Sequence, residues 1–186
     1  MTDAAPWTTL ESRTLIEDRW IRLRADRLRT AAGVELSPWY VLDYPDWGAA
    51  VALTEDDRLV LVRQWRHAVQ AWCLELPGGV LDPGDADPVA GIRRELREET
   101  GHDTDTWRYL YAGHPNPAIQ TNRMHFALAT GARPVAAQAL EAGEAMEVEC
   151  MKVDEVLAGL GQGLIAQALH VGPILVGLAA AGRIRL

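Results

Sequence analysis

Between Gly79 and Gly101 the chain reads GVLDPGDADPVAGIRRELREETG, and this segment limits the possible folds more than any other. Its second half sets Glu95, Glu98 and Glu99 at i, i+3 and i+4, which places three carboxylates on one face of a helix. Asp87 or Asp85 stands at the N-cap position, Pro88 suits the first turn, and Gly101 is placed to follow the C-terminus. Val89, Ile92 and Leu96 form an apolar stripe beside the acidic face, so one side of this helix packs while its neighbour stays charged. Just upstream, Leu76-Pro77-Gly78-Gly79 ends a strand in glycines that let backbone groups approach a metal or phosphate closely. Crowded carboxylates raise one another's pKa unless a hard, oxygen-loving divalent cation sits among them. The spacing predicts half of a Mg²⁺ site. The competing reading is a solvated helix laced with ion pairs, with Arg94 reaching Glu98.

Gly79, an acid after five intervening residues, and Arg94-Glu95-Leu96-x-Glu98-Glu99-x-Gly101 together resemble the signature of the Nudix hydrolases, which cleave nucleoside diphosphates linked to another moiety. The second half of the motif agrees in register. In the first half Asp85 stands where the family has Glu, one extra residue separates it from Arg94, and His102 replaces an aliphatic residue. The resemblance implies an α/β fold, the Nudix α/β/α sandwich with a mixed sheet over residues 46–186, preceded by a small N-terminal antiparallel β region over residues 1–45. It also implies that Glu95, Glu98 and Glu99, with the carbonyl of Gly78, hold Mg²⁺, with Mn²⁺ as an alternative. Arg94 would orient these carboxylates, and Glu98 would take part in the chemistry.

Flanking segments are similar to those of ADP-ribose and nucleoside-diphosphate-sugar pyrophosphatases. In such enzymes the N-terminal extension supplies a dimer interface and part of the base pocket, so a homodimer is expected. The strand Val60 to His67 carries Arg63 and Arg66, candidates for gripping phosphate or carboxylate groups bidentately. Trp39, Tyr40 and Trp47 are candidates for stacking a base, and Asn122 and Arg123 for reading a sugar or phosphate. His114-Pro115-Asn116-Pro117 follows the motif at the distance where a proline marks the ADP-ribose group, although residues 118–123 lack the acid found there in that group. For the general base, relatives use either a glutamate of a late loop or a box glutamate; Glu141 and Glu144 lie in the matching loop, and Glu144 is preferred. The expected reaction is hydrolysis of the pyrophosphate of ADP-ribose or a related nucleotide sugar to a nucleoside monophosphate and a sugar phosphate. GDP-mannose preference, removal of damaged nucleoside triphosphates and a non-hydrolytic nucleotide sensor are the alternatives.

Composition narrows the setting. A chain of 186 residues, 48% of them hydrophobic, is long enough for a full core. Its net charge of −8 argues against nucleic acid as a partner. Cys73 and Cys150, far apart in apolar surroundings, are expected to be buried free thiols, which points to the cytoplasm. The uncharged stretch Leu164 to Gly182 has nearly the length of a membrane span, but Gln167, His170, Pro173 and many small residues favour a helix or helix pair against a core, with no membrane contact.

Alternation from Leu15 to Arg29 predicts one strand, and a second run from Val34 to Tyr44 is broken by Pro38. Further strands are expected at Gly48–Thr54, Arg58–Trp65, Ala71–Leu76, Thr106–Gly113, Met124–Ala129 and Met146–Val153. Val153–Leu160 is expected to be a short helix, and residues 132–144 a loop.

Overall fold

The computed structural model describes residues 6–140 and 142–186, which fall into two compact units. The first comprises the described part of Met1–Pro45 together with His114–Arg123. Its strands β1 (Trp7–Glu17), β2 (Arg22–Thr30) and β3 (Glu35–Asp43) form an antiparallel sheet in the order β1-β2-β3. The single strand expected over Leu15–Arg29 is two strands. Asp18 accepts the backbone N–H groups of Trp20 at 2.7 Å and Ile21 at 3.0 Å, and this side-chain turn breaks the run that hydrophobic alternation alone joins. Pro38 does not end β3. The β2–β3 register shifts between Asp26 and Leu28, and Pro38 sits in that irregularity, where a missing N–H breaks no ladder bond. His114–Arg123, assigned from sequence to the region after residue 46, pairs here: Leu42 N–H donates to Ile119 O at 2.7 Å and Thr121 N–H to Leu42 O at 3.2 Å.

The second unit, Asp46–Gly113 with Met124–Leu186, is built on an eight-stranded mixed sheet. Strands β4 (Trp47–Thr54), β5 (Arg58–Arg66), β6 (Ala71–Glu75), β7 (Gly78–Val80), β8 (His102–Asp103), β9 (Trp107–Gly113), β10 (Met124–Pro134) and β11 (Met146–Lys152) follow the path β11-β5-β4-β10-β8. Off that path, β6 pairs with β5, β7 with β4 and β9 with β10. Only β4 and β10 run parallel among these pairings. β4 is buried along Gly48–Leu53 because both of its faces are covered. Ala50 and Ala52, with Ala127 and Ala129 of β10, meet Ile92 and Leu96 of helix α1 (Pro88–Thr100). Val51, Leu53, Phe126 and Leu128 meet Val156 of α2 (Val153–Leu160) and Ile174 and Leu178 of α3 (Ala168–Ala180). Small residues on one face and bulky ones on the other bring α1 close to the strands.

Two expectations need adjusting, the end of β10 and the burial of Cys150; two short strands were not foreseen, and the C-terminal stretch agrees with the expected helix. β7 and β8 were too short to carry a sequence period, and β10 runs to Pro134 instead of ending at Ala129. The apolar C-terminal stretch gives one helix of 13 residues with Pro173 inside it, and no helix of the described residues is long and apolar enough to cross a membrane. Both cysteines are free, but only Cys73 is buried; Cys150 is half-buried.

Candidate functional site

α1 begins and ends where local chemistry dictates. Asp87 is the N-cap: its carboxylate accepts the N–H groups of Val89 at 2.8 Å and Ala90 at 3.0 Å, and Pro88 follows. Gly101 closes the helix at φ 69°, where a Cβ would strike the carbonyl of Ala136. Asp85, the other N-cap candidate, accepts Asp82 N–H at 2.8 Å and lies 3.4 Å from Arg94, whose hydrogen bond holds its carboxyl below the usual carboxylate range.

The inner edge of α1 carries Glu95 and Glu99. Glu99 is 4% exposed and its Oε2 accepts the Gly78 N–H at 2.7 Å. Burial pushes the Glu99 pKa up to about 8, against the pull of that hydrogen bond; the charges of Glu95 and Glu144 push the same way as burial. Glu95 is also held above its ordinary value by burial, opposed by its bond to Arg94 and aided by Glu98 and Glu144. Its carboxylate lies against the glycine turn, since a Cβ on Gly79 would come within 2.7 Å of Glu95 Oε2. Glu98 is nearer solvent, its side chain 45% exposed. Arg94 donates to Glu95 at 2.7 Å, to Glu98 at 3.0 Å and to Val80 O at 3.2 Å. Burial opposes the charge on Arg94, but bonds to Asp85 and Glu95 outweigh it and raise its pKa.

Among the described residues no three His, Cys, Asp or Glu side chains already stand at ligand spacing around one point. The donor set nevertheless fits a hard cation. The buried Glu99 and half-buried Glu95 are both held above their ordinary pKa by burial and by neighbouring carboxylates, Gly78 and Gly79 leave room beside them, and Mg²⁺ commonly takes one or two protein carboxylates and fills its remaining positions with water and substrate phosphate.

Glu144 is half-buried and close enough to Glu95 and Glu99 to affect both. Glu141 lies outside the described residues. The stretch leading to Glu144 is tied to the end of α1: Ala139 N–H donates to Glu98 O at 2.8 Å, Gln138 Nε2 to Glu99 O at 2.6 Å, and the N–H groups of Val135 and Ala136 to Gly101 O. Carbonyls left open at a helix C-terminus are thereby satisfied. An open cleft of about 610 Å³ borders this stretch and the outer face of α1, lined by Arg93, Arg94, Arg97 and Glu98 among others.

The strand arginines differ. Arg66 donates to the buried Glu75 at 3.0 and 2.6 Å, a fork-to-fork pair that holds two strands together. Arg63 is 47% exposed, lies 3.7 Å from Glu147 and sits over the Trp72 ring at 5.6 Å. Trp47 is half-buried against the apolar cluster of the α3 face. In the first unit, Trp39 packs edge-on to Trp7 at 5.3 Å, Tyr40 is 51% exposed, Arg123 is exposed, and Asn122 is 3% exposed with neither carboxamide atom hydrogen-bonded.

Sequence reasoning missed the Arg66–Glu75 pair, the tie made by Gln138, and Arg93, whose guanidinium spans Asp103 at 2.7 and 3.0 Å and Asp105 at 2.9 Å. Pairing β5 with β6 would not have revealed the first, since Arg66 faces Ala71 and Glu75 faces Val62, and the long arginine side chain reaches along the hairpin to its partner. The other two depend on contacts between elements.

Comparison with known proteins agrees with this geometry. Residues 45–169 match the NUDIX domain model, and residues 7–42 match the nucleoside diphosphate sugar hydrolase N-terminal domain. The chain therefore belongs to the Nudix hydrolase family, whose members generally use divalent metal ions. It is 26% identical to the methanol dehydrogenase activator of Bacillus methanolicus over 80% of each chain. It is 32% identical to an ADP-ribose pyrophosphatase of Mycobacterium tuberculosis over 68% of this chain and 61% of that relative. Its fold superposes on a solved ADP compounds hydrolase with a TM-score of 0.85, at 19% identity, covering 99% of this chain and 100% of the other.

Proposed function

We propose that the protein hydrolyses the pyrophosphate bond of ADP-ribose or a related nucleoside diphosphate sugar, releasing a nucleoside monophosphate and a sugar phosphate. The observation that carries this reading is the pair of carboxylates, buried Glu99 and half-buried Glu95, set against the Gly78–Gly79 turn with Glu144 close enough to repel both. The names of the Mycobacterium tuberculosis relative and of the solved hydrolase support the substrate class, as does the match over residues 7–42. Mg²⁺, with Mn²⁺ as a substitute, is the cation this set of oxygen donors suits; when bound it neutralises the phosphates and acidifies water.

Glu95 and Glu99, with the Gly78 carbonyl and Glu98, hold the cation. Arg94 touches Glu95 and Glu98 and keeps their oxygens oriented. Glu144 accepts the proton of the attacking water at its carboxylate, an assignment supported by its electrostatic reach to Glu95 and Glu99. Arg63, half-exposed and loosely paired, is free to swing onto a phosphate, whereas Arg66 braces the strand end below the glycines. Trp47, Asn122 and Arg123 remain the candidates for base and sugar contacts; for Asn122 the support is a buried carboxamide with donors and an acceptor unmet. The first unit serves as a homodimer interface, a role supported by Trp7, Ile16 and Tyr40, exposed on a three-stranded sheet, and by Trp20, exposed in the turn between β1 and β2. Two free thiols suit a reducing cytoplasm.

The test is phosphate-product release by the purified protein with Mg²⁺ across ADP-ribose, GDP-mannose, UDP-glucose, NADH, a diadenosine polyphosphate and nucleoside triphosphates. A diphosphate sugar cleaved well above the rest, with activity abolished by EDTA, is the expected result. Tight binding of one compound with no turnover of any would replace hydrolysis with sensing.

A further inference from the structure

The turn that carries Gly78 is gripped from several sides. Arg66 of β5 holds Glu75, and the Ala50 N–H of β4 donates to Pro77 O at 2.9 Å. Between them, His170 reaches in from the first turn of α3. Its Nδ1 accepts the Leu76 N–H at 3.1 Å, joining residues 94 apart in the sequence. Two residues further on, the Gly78 N–H donates to Glu99 Oε2 at 2.7 Å. Leu76 and Pro77 are buried, and the ring of Pro77 fixes its φ, so little slack separates the two hydrogen bonds.

His170 is itself 5% exposed. An imidazole that accepts at Nδ1 must be neutral with its proton on Nε2. Burial pushes its pKa down to about 4, with Glu75 pulling it up and Arg66 pushing it down, so the accepting form is the one present at neutral pH. A buried backbone N–H that loses its acceptor incurs a desolvation penalty, and the chain shifts to find another partner. At Leu76 that shift passes through Pro77 to the N–H that holds Glu99.

We propose that His170 is a positioning residue for Glu99: by accepting the Leu76 N–H it fixes the backbone turn whose Gly78 N–H orients the Glu99 carboxylate for its cation. This rests on the reading of Glu99 as a metal ligand given above. His170 touches neither substrate nor cation, and it acts as an outer partner of a ligand set.

Two substitutions separate the role from mere packing. His170→Leu fills the space without an acceptor, whereas His170→Asn places Oδ1 near the position of Nδ1. Mn²⁺ binding without substrate, read from the loss of the free-ion EPR signal, is the first measurement. The Leu variant is expected to bind Mn²⁺ about 10-fold more weakly or worse, the scale typical of outer-shell partners. The Asn variant is expected to restore most of that affinity. At saturating Mg²⁺ the Leu variant keeps the substrate KM, and the metal concentration for half-maximal rate rises.

Wild-type Mn²⁺ affinity in a folded Leu variant, or equal losses in both variants, overturns the proposal while leaving the functional reading intact. Failure of the wild-type protein to bind Mn²⁺ or turn over substrate overturns that reading and this one with it. If the Leu variant does not fold, the imidazole ¹⁵N shifts of the wild type decide at neutral pH: Nε2–H is required, and an Nδ1–H tautomer rules the role out.

Discussion

The two edges of α1 use the same residue types to opposite electrostatic ends. On the outer edge every charge of Arg93 is met, by Asp103 and Asp105, in a fork partly open to water. On the inner edge the buried Glu99 and the half-buried Glu95 are held above their ordinary pKa, and Arg94, Arg66 and one backbone N–H only partly offset this. Paired charges in partial solvent contribute little and hold a helix in place. Buried acids without enough countercharge lower stability, and a fold keeps them where a cation or a proton completes the set.

The sharpest way to break this contrast is Glu99→Gln. Turnover should fall on the order of 10²–10³-fold, the scale for removing one group that stabilises the transition state, while the metal-free protein melts no lower than wild type because a repelling charge is gone. Steady-state kinetics and calorimetry on one preparation check both; near-normal turnover would make the inner edge merely structural. Next in size is Arg94→Met, which leaves Glu95 without its cation. A loss of about 10–100-fold in metal-dependent rate is expected, together with a lower melting temperature.

A pH series sharpens the comparison further. The folded-state pKa of Glu99 is raised from 4.5 to about 8, so between those values the folded protein binds more protons than the unfolded chain. Its contribution to the stability of metal-free protein is therefore fully present below pH 4.5 and is lost as pH rises through about 8. Mg²⁺ needs the ionised carboxylates, so the rise in melting temperature it causes should be larger at the alkaline end of that window. Thermal melts with and without Mg²⁺ test the sign; a larger rise at the acid end would refute it. The smallest effect belongs to the outer edge. Arg93→Met should cost about 1 kcal/mol, since the Arg93 side chain is 40% exposed and screened, and should leave metal dependence unchanged in a denaturant titration run beside the assay.

What could be read from the sequence followed the range of the forces involved. The limits of α1 were legible because Asp87, Pro88 and Gly101 act within one turn, and the pairing of Arg94 with Glu98 follows from i, i+4 spacing. The strands β4, β5 and β11 announced themselves by apolar runs, whereas β7 and β8, three and two residues long, exist only because neighbouring strands supply their hydrogen bonds. The break at Asp18 was local but lay in one side-chain turn that alternation does not register. The grouping of His114–Arg123 with the first unit and the reach of His170 to Leu76 depend on pairing across 70 or more residues, for which a linear pattern has no signal.

The tie between the loop and the end of α1 also bears on local unfolding. The N–H groups of Val135, Ala136 and Ala139 and the Gln138 amide all end on carbonyls of Glu98, Glu99 and Gly101, so the loop leading to Glu144 cannot lift away without uncapping the last turn of the helix. The two form one foldon, opening together with a shared free energy. Amide hydrogen exchange would then report a single protection level across both segments, and an ion gripped by the helix would slow exchange in a loop it never touches.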